Sequence, residues 1–266
     1  MVIHPEKKYA FVHIPKTGGS YVTVLLKKYF EGVYNPRQPH WSYGRSHSIP
    51  KLYSNWDSVI GLIRDPLTFY VSVFNMSMKD GKKSAWMTPK WSINKKYVPG
   101  SLHPPPDPKV EIALFQNWLT DVLELQEGTP QGTSHTQTDW HGKTLDFGSH
   151  LDMDIGLFTR FFVMHYMGND YNFLRQNAMP INYLLRMENI HTDLAVVMEA
   201  IGYDTEEFLK DMNNSGTPGH AAFQNKRNTS AWRTIPYEDY YTPELIELVK
   251  HKDRFIYYLY NLDWTT

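Results

Sequence analysis

The sequence predicts an α/β domain in which a central parallel sheet is flanked by helices and interrupted by inserted loops. Two observations carry most of this. An apolar run, a Gly-Gly turn and a helix-period stretch follow one another between residues 9 and 30, and the same strand-to-helix pattern returns at 58 to 78. A third is a short apolar run at 181 to 188 followed by another helical pattern. Strands that alternate with helices pair in parallel, because the helix carries the chain back across the sheet. At 266 residues the chain is long enough for one sizeable core, so we read 1 to 266 as a single domain.

In order, "YAFVHI" at 9 to 14 has strand length, and Val22, Leu25, Leu26, Tyr29 and Phe30 then mark one face of a helix. "SVIGLI" at 58 to 63 is the second strand. Asp65 is placed to cap the following helix, Pro66 sits at its first position, and Leu67, Val71, Phe74 and Met78 form its buried stripe. Residues 79 to 107 have no periodicity and read as a loop. Asp107-Pro108 opens a helix to about Leu125. Residues 128 to 150 are polar, Gly-rich and His-bearing, a second surface excursion within an insertion over 128 to 165. "INYLLRME" at 181 to 188 is a strand, with Thr192 placed to cap the next helix and Gly202 to end it. Asp204 to Glu207 reads as a capping box. Residues 213 to 230 are loop by composition, and Thr242-Pro243 opens a last helix towards Tyr260.

Composition removes several function classes. With 27 basic and 28 acidic residues, the chain has no global electrostatic signature of a nucleic-acid or membrane-surface binder. Any anion site must be local. The absence of cysteine excludes disulfides and thiolate metal sites and favours a reducing compartment. No apolar run reaches the roughly 20 residues needed to span a bilayer, and the N-terminal segment has no signal-peptide pattern. The expectation is a soluble, cytoplasmic protein.

The chemistry gathers at "PKTGGS", residues 15 to 20. In an open parallel sheet, ligands settle beyond the carboxyl ends of strands, where a loop feeds a helix N-terminus. Gly18 and Gly19 let backbone N–H groups approach an anion, the helix adds partial positive charge, and Thr17 and Ser20 offer hydroxyls. Read blandly, the same residues are a tight strand–helix connection with an exposed lysine. A nucleotide-triphosphate loop places its lysine after the glycines and follows it with a magnesium-binding hydroxyl. Here Lys16 precedes the glycines. A less charged sulfuryl group needs less metal neutralisation than a γ-phosphoryl, so metal-free sulfuryl transfer accommodates both departures.

"HIPKTGGS" resembles the 5′-phosphosulfate loop of the sulfotransferases that use 3′-phosphoadenosine-5′-phosphosulfate (PAPS), in the carbohydrate and bacterial branch. "RDPLTFYVSVF", from Arg64, resembles that family's 3′-phosphate motif, with Arg64, Asp65, Pro66, Ser72 and Phe74 in place. At the family's second arginine this chain has Phe69. "RSHSIPKLY", "YLLRMENI" and the C-terminal segment match more weakly, and the likeness lapses over about 79 to 150. The resemblance implies a three-layer P-loop-like fold and a PAPS cofactor, with PAP as product and no metal. It implies that Lys16, Thr17, Gly18, Gly19, Ser20 and Tyr21 hold the phosphosulfate, with Arg64, Ser72, Lys226 and Arg227 on the rest of the nucleotide. From the residues themselves, Arg64 offers a planar fork for a phosphate dianion and Ser72 a hydroxyl. The bland reading of Arg64 is a surface salt bridge, and of Lys226 and Arg227 a solvated charge pair.

Transfer to a hydroxyl needs a group to take the acceptor's proton and another to stabilise the leaving oxygen. Lys16 suits the second task. His47 is the candidate base, because it lies between the two motifs and matches the family's histidine ahead of the second strand. His13, on the strand itself, is expected to pack or orient the turn. Arg186 and Glu188, two apart on a strand, share a face and form either an ion pair or a support for an active-site group. His135, His141 and His150 have no metal-ligand spacing and read as loop residues. Acceptor binding is expected where the resemblance fades, with Trp86, Trp91 and Trp140, and also Tyr97 and Tyr166, stacking on a sugar, and with His47 and Glu188 beside it. A carbohydrate is favoured over a small alcohol, phenol or lipid. The rival readings are a P-loop-type phosphotransferase and a non-catalytic nucleotide- or glycan-binding descendant.

Overall fold

Among the described residues, four short strands lie side by side in one sheet. In this computed structural model the described residues are 2–4, 6–32, 56–80, 107–124, 136–138, 144–146, 154–166, 181–213 and 235–262. The strands are β1 (Val2–His4), β2 (Tyr9–Phe11), β3 (Ser58–Ile63) and β6 (Tyr183–Arg186). β1 pairs antiparallel with β2, whereas β2–β3 and β3–β6 are parallel, in registers that set Tyr9 beside Ser58 and Ile60 beside Tyr183. The three parallel strands therefore present their carboxyl ends along one edge.

Helix α1 (Gly19–Tyr29) follows β2 and α2 (Pro66–Asp80) follows β3, as the two strand–turn–helix patterns predict. Next come α3 (Pro108–Leu123), a small antiparallel pair of β4 (Thr136–Thr138) with β5 (Thr144–Asp146), and α4 (Leu157–Tyr166). Beyond β6 lie a 3-10 turn (Met187–Asn189), α5 (Ile190–Ala200) and α6 (Glu206–Asn213). A second 3-10 turn (Glu238–Tyr240) leads into α7 (Pro243–Lys252) and α8 (Arg254–Asn261). Among the described residues, no helix is long and apolar enough to cross a membrane.

Strand β3 explains the layering. Successive side chains of a strand point to opposite faces. Val59 and Ile63 join a core with α2, α3, α4, α7 and α8, while Ile60 and Leu62 join a second core with α1, α5 and α6. A sheet buried on both faces gives a continuous apolar run rather than alternation, as "SVIGLI" shows. Each fully buried aliphatic side chain contributes roughly 1.5–3 kcal/mol.

Several expectations change. Residues 157 to 165, assigned from sequence to an insertion, belong to the buried helix α4, and Tyr166 at its end is wholly inside the core. Its hydroxyl accepts from Leu62 N–H at 2.8 Å and lies 3.1 Å from the Val12 and Leu62 carbonyl oxygens. It is unavailable for stacking on a sugar. The strand at 181 to 188 is only Tyr183–Arg186, and α5 begins at Ile190, which leaves Thr192 inside the helix instead of at its cap. The surface excursion at 128 to 150 carries the β4–β5 pair. The last helix is broken at Asp253, whose carboxylate turns inward to accept from Tyr70 Oη at 2.5 Å and from Thr159 N and Oγ1 at 2.8 Å each. Capping at Asp65, Asp107 and Thr242 and helix termination at Gly202 follow the sequence reading.

Candidate anion-binding site

The turn after β2 is built from two left-handed residues, Lys16 at φ 72° and Gly18 at φ 98°. Thr17 between them is buried. Its N–H and its hydroxyl both donate to the Ile14 carbonyl, at 3.3 and 2.7 Å, which commits that hydroxyl to the turn. Gly18 is the N-cap of α1, and its carbonyl accepts from the N–H groups of Tyr21 and Val22. The N-cap is a glycine, which has no side chain to cap the first amides, and no acidic residue lies in the first turn. Successive amides in such a turn form a concave nest, and the helix dipole adds partial positive charge there.

Space selects the two glycines. A Cβ on Gly18 would sit 2.3 Å from Met187 Sδ, and one on Gly19 would sit 2.0 Å from the Cγ and Cδ2 atoms of His13. The His13 imidazole stacks on Phe11, with centroids 5.6 Å apart, and its Nδ1 has no hydrogen-bond partner among the described residues. Burial pulls its pKa down to about 4, so the ring is neutral near pH 7. The expectation that His13 packs beneath the turn agrees with this. The cation that the turn itself carries is Lys16, half-buried, while Ser20 is exposed.

The second motif meets the first at the end of β3. Arg64 Nη1 donates to the Lys16 carbonyl at 3.1 Å, and Arg64 Nε donates to Thr68 Oγ1 at 2.7 Å. Asp65 caps α2 by accepting from Thr68 N–H at 2.9 Å, and its own N–H donates to Glu188 Oε1 at 3.1 Å. Burial raises the Asp65 carboxyl, and the Thr68 N–H bond partly offsets it. Burial, and after it the nearby Glu188 charge, push the hydroxyl of Tyr260, on α8, above its ordinary range. The ends of β2, β3 and β6 are thus stitched to one another.

The expected Arg186–Glu188 relationship is different. The strand ends at Arg186 and the 3-10 turn redirects the chain, so the two do not share a strand face. Arg186 pairs with Asp193, Nε to Oδ2 at 3.0 Å and Nη2 to Oδ1 at 2.9 Å, while its N–H also donates to Oδ2 at 2.8 Å. Of the remaining candidates, Ser72 lies one turn beyond Thr68 on α2 and is half-buried. Tyr21 turns towards α5 and α6: its hydroxyl is 2.7 Å from His191 Nε2 and 3.9 Å from Met212 Sδ. Phe69 is wholly buried against Phe158, so position 69 supplies no phosphate contact.

His47, Trp86, Trp91, Trp140, Lys226 and Arg227 lie outside the described residues, as do Tyr97, His135, His141 and His150. Sequence reasoning missed Thr68 and Met187. Only Thr68 has a local signal, a hydroxyl four residues after Arg64 in the first turn of a helix. No family model, curated protein or solved structure matches this chain.

Proposed function

We propose that this protein is a PAPS-dependent sulfotransferase with a three-layer P-loop-like fold, acting on an acceptor hydroxyl, with a carbohydrate as the favoured acceptor. The observation that carries the reading is the meeting of its two motifs. The turn at Lys16 to Ser20 lies one hydrogen bond, 3.1 Å, from Arg64. A nucleotide with phosphates at both ends needs two anion-binding groups side by side, and the parallel β2–β3 pair supplies them.

The residues fit that cofactor. The space that a Cβ would occupy at Gly18 and Gly19 is closed by Met187 and His13, so glycine is required at both positions of the turn, and glycine is also what a close approach of an anion to the backbone calls for. In the proposed complex the amides of Gly18, Gly19 and Ser20 hold the phosphosulfate end, and Lys16 sets positive charge against the leaving oxygen. Arg64, Ser72, Lys226 and Arg227 hold the other end. When bound, PAPS supplies the sulfuryl group that is transferred. His47 takes the proton from the acceptor hydroxyl. Neutral His13 contributes shape but no charge.

Binding and transfer test the reading separately. Adenosine 3′,5′-bisphosphate without metal is expected to raise the melting temperature, and ATP with magnesium is not. Transfer of radiolabel from PAPS to a panel of glycans and alcohols should be lost in Lys16→Ala and fall at least about a hundredfold in His47→Ala. Stabilisation by magnesium ATP alone would favour the phosphotransferase. The packing of Phe69 supports a second reading, a nucleotide-binding protein that no longer turns over, for which bisphosphate binding without any transfer is the signature.

A further inference from the structure

We infer that Arg64 is a positioning residue of the anion loop, bracing Lys16 from the junction of β3 with α2 and so coupling the two ends of the site. The observation behind this is independent of which nucleotide binds. Lys16 is a non-glycine residue in the left-handed region, at φ 72°, a conformation that costs roughly 1–2 kcal/mol. A backbone held there needs outside support. The Arg64 guanidinium supplies it through the Lys16 carbonyl at 3.1 Å.

The brace is itself rigid. Thr68 Oγ1 accepts from Arg64 Nε at 2.7 Å and donates to the Asp65 carbonyl at 3.0 Å, while Thr68 N–H donates to Asp65 Oδ1 at 2.9 Å. The Asp65 N–H is anchored on Glu188 beyond β6 at 3.1 Å. The guanidinium is therefore held by Thr68, which Asp65 holds in turn, and Asp65 is fixed by the neighbouring strand end. An anion that engages Arg64 acts on the same group that holds the loop, so by linkage each end of the site senses occupancy of the other. This coupling deepens the sulfotransferase reading and rests on it only for the identity of the ligand.

Hydrogen–deuterium exchange on the unliganded full chain tests the brace without any nucleotide. The amides of Thr17, Tyr21 and Val22 are hydrogen-bonded within the turn, so their exchange reports its opening. Thr68→Val, which removes the Nε acceptor but leaves Arg64, and Arg64→Lys are each expected to speed their exchange about tenfold, the loss of one hydrogen bond to a charged group. Thr68→Ser should restore protection, and the α5 amides should not change. Unchanged exchange in both variants overturns the inference, as does an equal rise throughout the chain. Adenosine 5′-phosphate, which lacks the 3′-phosphate, gives the ligand arm. Its affinity should fall about tenfold in Thr68→Val, and a loss confined to the 3′,5′-bisphosphate would leave Arg64 as a phosphate ligand alone and refute the brace. If neither nucleotide binds the wild type, the sulfotransferase reading falls and the exchange result decides the brace by itself.

Discussion

Phe69 lies flat on Phe158, with ring centroids 3.9 Å apart, planes 12° from parallel and both rings wholly buried. The position at which the resembled family carries a second arginine is therefore part of the core between α2 and α4. Phe69→Arg is expected to destabilise the fold by about 3–5 kcal/mol, because it buries an unpaired charge and breaks the stack. Urea unfolding measures this. A variant that keeps wild-type stability and binds adenosine 3′,5′-bisphosphate more tightly would show that residue 69 faces the ligand instead.

Gly19 and His13 compete for one volume. The Cβ of Gly19→Ala would come within 2.0 Å of the imidazole, and overpacking of this kind costs about 1–3 kcal/mol. His13→Ala removes the obstacle, so the double variant should be more stable than the sum of the single effects by about 1 kcal/mol or more. Additive effects would mean that the two do not meet. Anion binding should fall in Gly19→Ala and partly return in the double variant.

How far the sequence reveals all this depends on the range of the interaction. The pairing of β2 with β3 is legible because Gly18, Asp65 and Pro66 act within a few residues of where they stand, and the apolar runs fix both strands. The buried stripe of α2 is only partly legible. Leu67 is half-buried, whereas Phe69, Tyr70 and Val73 join Val71 and Phe74 inside, because α3 and α4 cover the helix from two sides. Helix α4 itself was not legible. It follows a polar stretch, and its burial comes from distant partners such as Asp253 and Phe255. Within the site, Lys16 and Arg64 announce themselves by motif, but their contact spans 48 positions and depends on strand order. Glu188 shows the opposite failure, a local rule applied two residues past the end of a strand.

Asp193 is the acceptor for three donors of one residue, the N–H, Nε and Nη2 of Arg186. It is buried, so a charged bond lost here leaves its partner stranded. Asp193→Ala is expected to cost about 2–3 kcal/mol, and Asp193→Asn less, since the amide oxygen still accepts. Chemical denaturation of both variants checks the order. Equal stability of the alanine variant and the wild type would remove the pair from the structural account of the β6 end.

Asp253 gives the fold a pH dependence whose sign follows from its surroundings. The carboxyl is wholly buried, which raises its pKa, and the bonds from Tyr70 and Thr159 oppose this without cancelling it. Between the unfolded and folded values the native state holds the extra proton, so this group's contribution is present at low pH and declines as pH rises through the folded value. Asp253→Asn still accepts from Thr159 but cannot ionise. The stability of the wild type relative to Asp253→Asn is therefore expected to fall steadily from acid towards neutral pH, as read from urea midpoints at each pH. Parallel curves, or a wild type that gains on the variant as pH rises, would show that the bonds outweigh burial. Asp253→Ala separates packing from titration: it strands the Tyr70 hydroxyl and both Thr159 donors, and should cost about 3–5 kcal/mol at every pH.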